Sequence, residues 1–137
     1  MDIEVIESPN EELMQFFEKK IEEFNHKNWE VKEKHPLVIT VRDSEEGIVG
    51  GVAAKTFGSW LLIENLWVHE SLRGKNMGTQ ILNRLESAAR KRGCKYVLLD
   101  TLNFQARPFY EQLGYQVQWI QENYPKEGCK YFMTKEL

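Results

Sequence analysis

Apolar and polar positions alternate along this chain with two different periods, and the switches between them outline its elements. Leu13, Phe16, Phe17, Ile21 and Phe24 recur at helical spacing, so an amphipathic helix of roughly four or five turns is expected there. Ser8, Pro9 and Glu11 read as its start, with Ser8 as cap, Pro9 at the first helical position and Glu11 closing a capping box. The short run IEVI at 3–6 is a candidate first strand. HPLVITVRD, IVGGVAAKTF and SWLLIENLWVHE are apolar, β-branched runs bounded by turn residues and read as three strands. Gly50 and Gly51 mark a bulge or a close backbone approach. The third run is interrupted by two polar residues, Glu64 and Asn65.

Helical spacing returns with Ile81, Leu82, Leu85, Ala88 and Ala89. Arg90, Lys91 and Arg92 suit the negative end of that helix, and Gly93 terminates it. KYVLLDT reads as a buried strand and PFYEQLG as a short helix stopped by Gly114. YQVQWI and KYFMTKEL alternate with period two and read as closing strands. Pro108 biases Arg107 away from helical angles, which places the start of the short helix near 106–108. The order is β-α-β-β-β-α-β-α-β-β. Strand 61–69, helix 77–92 and strand 95–100 form a βαβ unit, so those two strands should be parallel, and the flanking hairpins make the sheet mixed.

With 137 residues and no Pro-, Gly- or Ser-rich linker, residues 1–137 are expected to form one domain. A hydrophobic fraction of 42% supports a core, and a net charge of −3 argues against a nucleic-acid partner. Arg90, Lys91 and Arg92 are accounted for by their place at a helix end. No run approaches the 18 apolar residues of a membrane span. MDIEVIESPN has no signal-peptide apolar core. Cys94 and Cys129 read as reduced thiols of a cytoplasmic protein, and no Cys-x-x-Cys pair or His cluster suggests a metal.

The stretch VHESLRGKNMGTQIL joins a strand to a helix. Helix N-termini present unpaired N–H groups and partial positive charge, Gly74 and Gly78 allow close approach, and Arg73 and Lys75 add full charge. The turn therefore suits a phosphate or pyrophosphate, or is simply a tight turn with solvated basic residues. It is neither a Walker loop nor the dinucleotide fingerprint.

Arg73-Gly74-Lys75-Asn76-Met77-Gly78 resembles the Arg/Gln-x-x-Gly-x-Gly/Ala loop of the GNAT superfamily of acetyl-CoA-dependent N-acetyltransferases. Asn76 stands where that loop has its middle glycine, and asparagine tolerates left-handed backbone angles best among the other residues. A second motif, Asn103, Ala106, Tyr110, Gly114 and Tyr115, matches that family in spacing and order. The resemblance covers roughly residues 36 to 120. It implies a single-domain α/β (α+β) fold with a mixed, mostly antiparallel sheet, a central parallel β-α-β unit and helices on both faces.

What the resemblance implies for function is direct transfer of an acetyl group from acetyl-CoA to a primary amine of a small molecule or peptide. The cosubstrate would enter a gap between strands 64–68 and 95–100. Main-chain groups of Leu66, Trp67 and Val68 would pair with its pantetheine arm, and the amides of Arg73, Gly74, Lys75, Asn76, Met77, Gly78 and Thr79 would hold its pyrophosphate. Asn103 would bond the pantetheine, or serve as a helix cap. Tyr110 is expected to protonate the departing thiolate and to lie against the cosubstrate, and the freed N–H of Val68 to meet an oxyanion. An alkylamine has a pKa near about 10, so a base must take its proton. Glu64 is that candidate, ahead of His69 and His26.

The acceptor site is expected to be open or completed by another subunit, because FNHKNWEVKEKHP leaves only a short connection after the first helix. Trp29, Trp60, Trp67 and Trp119 are candidates to line it. The resemblance further suggests a homodimer. Two other readings follow from it: a module that binds acyl-CoA without catalysis, which retention of Tyr110 disfavours, and transfer of another acyl group such as propionyl or succinyl, Arg107 being the nearby cation for succinyl.

Overall fold

The computed structural model describes residues 1–137, which divide into two compact units, 1–32 and 33–137. In the first, helix α1 spans Glu11–Asn28. Its cap is Asn10, whose side chain accepts a hydrogen bond from Leu13 N at 2.8 Å. The expected cap at Ser8 is thus displaced by two residues: Asn10 supplies the oxygen that the N3 amide needs, and Pro9 precedes the helix. Residues 3–6 form no strand, since no neighbouring strand pairs with them.

The second unit carries strands β1 (His35–Asp43), β2 (Gly47–Phe57) and β3 (Trp60–Val68), helix α2 (Met77–Lys91), strand β4 (Tyr96–Leu102), helix α3 (Arg107–Gln112) and strands β5 (Gln116–Glu122) and β6 (Cys129–Glu136). A single turn of 3-10 helix, Glu70–Leu72, leads out of β3. The sheet has six strands in the order β1-β2-β3-β4-β6-β5. β3 and β4 are parallel and every other pair is antiparallel. The fold is therefore mixed α/β with a mostly antiparallel sheet around one parallel β-α-β unit.

Alternation along the strands gives the sheet one core face. Val52, Ala54, Leu61, Ile63, Val97, Leu99 and Met133 turn inward to meet Ile81, Leu82, Leu85 and Ala89 of α2 and Tyr110 of α3. Each large aliphatic side chain withdrawn from water there stabilises the fold by about 1.5–3 kcal/mol. β4 and β5 run in the same direction, so both right-handed crossovers place α2 and α3 on the same side of the sheet. The expectation of helices on both faces thus turns on α1, which belongs to the other unit. At the end of α2, Arg92 is the C-cap and Gly93 has φ +91°, as its position after the basic turn requires. Gly51 lies so close to the backbone of Ile39 that a Cβ would collide with it.

Candidate active site

The site begins where two strands part. β3 and β4 pair over only three rungs, Trp60 with Tyr96, Leu61 with Val97 and Leu62 with Leu98. Beyond them β3 stays paired to β2 and β4 to β6, but the two no longer pair with each other. Their facing backbone groups are left to be satisfied from the gap. A bulge sits at the same point. Ala53 pairs with Asn65 and Ala54 with Ile63, so Glu64 is the extra residue on β3. The core-facing set switches there from Leu61 and Ile63 to Leu66 and Val68, and Glu64 and Asn65 are both exposed between them.

Two cavities open along this gap. One, of about 480 Å³, is bounded by Leu66, Trp67, Val68, the loop from Arg73 to Thr79, and Phe109. The other, of about 390 Å³, lies between Ile63–Leu66 of β3 and Leu99–Leu102 of β4, with Tyr110 on its wall. Leu66 and Ala106 line both, so the two adjoin between the loop and the tyrosine.

At the loop end the first helical hydrogen bond of α2 is Gln80 N to Asn76 O at 3.2 Å. The amides of Met77, Gly78 and Thr79 therefore have no acceptor within the helix. Asn76 takes φ +62° and ψ +19°, the left-handed conformation that asparagine tolerates. Gly74 has φ +77° with open space where a side chain would be. Gly78 has a packing reason as well, because a Cβ there would lie 3.0 Å from Phe109 Cζ. The Arg73 side chain donates from Nε to Val68 O at 3.4 Å, which ties the loop back to the end of β3. The donor set is all N–H and cation, and it fits a pyrophosphate.

Tyr110 is 7% exposed, with its ring edge-on to Phe109 at 5.2 Å and to Tyr115 at 5.7 Å. Burial pushes its phenol above the usual tyrosine value, and the charge of Asp100 adds to the shift. Tyr115 is pushed up further, by burial and by its 2.8 Å hydrogen bond to the buried Glu86 carboxylate, which also meets Lys135 Nζ at 2.8 Å. Glu64 borders the same cavity as Tyr110 and pairs with Lys55 Nζ at 3.2 Å.

Leu66, Trp67, Val68, Arg73, Gly74, Asn76, Met77, Gly78 and Thr79 thus come together at one cavity, and Glu64, Leu66 and Tyr110 at the other. Lys75 belongs to the loop but lines neither. Asn103 lines neither: its Oδ1 accepts from Cys129 N at 3.3 Å, and the residue opening α3 as its cap is Ala106. Trp67 is the one candidate tryptophan on these walls. Arg107 is engaged elsewhere, bonded to Glu111 at 3.2 Å and lying 4.6 Å above the Tyr131 ring. Neither cysteine is on the walls, and burial pushes the Cys94 thiol up.

Sequence reasoning missed Asp100, Gln105, Tyr124 and Lys130, all on the tyrosine cavity. Asp100 carried a signal, a carboxylate closing an otherwise apolar strand. The other three lie on the loop before α3 and on the β5–β6 hairpin, which only the pairing of β6 beside β4 brings to the gap.

Comparison with known proteins matches residues 3–115 to the Acetyltransferase (GNAT) family. The chain is 36% identical over 83 residues to an acetyltransferase of Agrobacterium fabrum, covering 61% of each, so the match spans less than two thirds of that protein. It is 32% identical over 111 residues to the blasticidin-S acetyltransferase of Streptomyces morookaense, covering 78% of this chain and 82% of that one. A crystal structure of an acetyltransferase from Bacillus cereus superposes with a TM-score of 0.86 at 30% identity, over 98% of both chains. An aminoglycoside 6′-N-acetyltransferase complexed with coenzyme A shares the fold with a TM-score of 0.66 at 18% identity, over 96% of this chain and 97% of that one.

Proposed function

The chain belongs to the Acetyltransferase (GNAT) family, and from that premise we propose that it moves an acetyl group from acetyl-CoA to a primary amine of a small molecule or peptide. The observation that carries this reading is the pair of adjoining cavities, one at the Arg73–Thr79 loop and one at Tyr110, along strands that have stopped pairing. In the first of them the amides of the loop and the α2 N-terminus hold the pyrophosphate, with the Arg73 and Lys75 charges beside them. Main-chain groups of Leu66, Trp67 and Val68 take the pantetheine arm as an added strand neighbour. Acetyl-CoA supplies the activated thioester.

Tyr110 gives its phenolic proton to the sulfur as the carbon–sulfur bond breaks. Its raised pKa keeps it protonated through the neutral range. A thiol near about 8.5 is nominally the stronger acid, but the same dry surroundings penalise a thiolate too. Glu64 takes the proton of the attacking amine, directly or through water, as the carbon–nitrogen bond forms. The free thiols of Cys94 and Cys129 support a cytoplasmic setting.

Acetyl is favoured over a dicarboxylic acyl group because Arg107 is held by Glu111 and Tyr131. The named relative that acts on an antibiotic makes such amines reasonable first acceptors. The test is thiol release from acetyl-CoA with a panel of aliphatic amines, aminoacyl amides, aminoglycosides and blasticidin S. Stoichiometric release and an acetylated amine are expected for at least one class. Binding of acetyl-CoA with no transfer to any amine would favour the non-catalytic module instead.

A further inference from the structure

The β4–β6 ladder carries the β5–β6 hairpin to the active site and ends at Leu102 opposite Lys130, and the Asn103 side chain adds a hydrogen bond just beyond its last rung. Asn103, in the loop after β4, makes a two-way contact with the hairpin's far stem. Its backbone N–H donates to Cys129 O at 3.0 Å, and its side-chain Oδ1 accepts from Cys129 N at 3.3 Å. Gly128 lets the strands come this close: a Cβ there would lie 2.8 Å from Asn103 Oδ1 and 2.6 Å from Tyr124 O. Inside the hairpin, Tyr124 N donates to Gly128 O at 2.8 Å. The two residues that this arrangement sets at the gap are Tyr124 and Lys130. Lys130 Nζ sits 4.3 Å above the Tyr124 ring, and both line the cavity that holds Tyr110, Glu64 and Asp100.

The two ends of the gap therefore have different owners. The loop end, where the cosubstrate's phosphates are placed, is built from β3, α2 and Phe109, and no hairpin residue reaches it. The tyrosine end is closed by the hairpin. Resting on the acetyltransferase reading, we propose that Asn103 is a positioning residue for the acceptor: it clamps the Asn123–Gly128 hairpin so that Tyr124 and Lys130 form the wall against which the amine substrate lies. It acts on amine recognition and leaves acetyl-CoA binding to the other end.

The test compares Asn103→Ala, Asn103→Asp and Gly128→Ala with the wild type. Three readouts are used: calorimetric acetyl-CoA affinity, exchange of the Tyr124 and Cys129 amides, and steady-state transfer to the amine that the wild type acetylates fastest. Asn103→Ala and Gly128→Ala should each raise the amine KM about tenfold or more, with acetyl-CoA affinity within about twofold. Hairpin amide exchange should rise by at least about tenfold in the same two variants. Asn103→Asp keeps an accepting oxygen for Cys129 N and should restore the amine KM. A tenfold loss of acetyl-CoA affinity in Asn103→Ala, or an unchanged amine KM, would overturn the proposal. Failure of the wild type to bind acetyl-CoA is a different result, because it defeats the acetyltransferase reading itself, while the hairpin exchange still reports on the clamp.

Discussion

The two halves of β3 and β4 share one pair of strands and do opposite things. In the first half, Trp60–Leu62 pair with Tyr96–Leu98, Leu61 and Val97 are fully buried under α2, and the Trp60 and Tyr96 rings lie 5.1 Å apart beside them. In the second half the strands separate, the residues become Glu64, Asn65, Asp100 and Thr101, and backbone groups are spent on the gap. A ladder that is closed at one end can be open at the other only because β2 and β6 keep holding the outer edges. Stability and chemistry are thus divided along the length of the same strands, and a substitution should affect one or the other according to which side of Leu62 it falls.

The largest effect that tests this division is expected in the open half. Tyr110→Phe keeps the buried ring and removes the proton, so kcat should fall roughly 100-fold or more while acetyl-CoA affinity changes by less than about threefold. Loss of affinity in step with kcat would place Tyr110 in binding rather than in proton transfer. In the closed half, Leu61→Ala should cost about 2–5 kcal/mol in urea unfolding, with KM values of the remaining folded enzyme unchanged. A kinetic effect without a stability loss would break the comparison.

The division is also only partly legible in the chain. β1 runs from His35 to Asp43 just as its apolar run does, and α2 stops at the glycine that its basic turn announces. Asn76 was readable because left-handed angles select few residues. The parting of the strands was visible only as two polar residues in an apolar run, and the sequence cannot say that Glu64 is the extra residue of a bulge. IEVI alternates like a strand, but alternation without a neighbour to bond has nothing to pair with. Ser8 and Asn10 are both competent caps, and the choice falls on the residue that meets Leu13 N. Asn103 stands at a motif position, yet its partner is 26 residues away on a hairpin, a distance that spacing does not report.

Smaller effects sharpen the same picture. Asn76→Val forces a β-branched residue into φ +62° at a local cost of about 1–2 kcal/mol, and should weaken acetyl-CoA binding about tenfold. Asn76→Gly should bind within about twofold of the wild type. Equal losses in both would mean that the asparagine side chain, and not the turn, matters. Smallest is the alkaline limb of stability. Tyr110 and Tyr115 hold their protons in the folded state above the unfolded value of about 10. Their contribution is complete below that value and is lost as pH rises past it, since the unfolded chain then releases protons that the folded chain retains. The urea midpoint should hold up to about pH 10 and fall above it, with tyrosinate absorbance appearing as the chain unfolds. Ionisation of both phenols before unfolding would contradict the burial assigned to them.

The most direct measurement is a calorimetric titration of the chain with acetyl-CoA, beside free CoA and ATP. Saturable, micromolar binding of both CoA forms and much weaker binding of ATP are expected, because the open half of β3 should hold the pantetheine arm that ATP lacks. No saturable CoA binding up to millimolar concentration would contradict the acetyltransferase reading, and would leave the Arg73–Thr79 loop as a turn put to some other use.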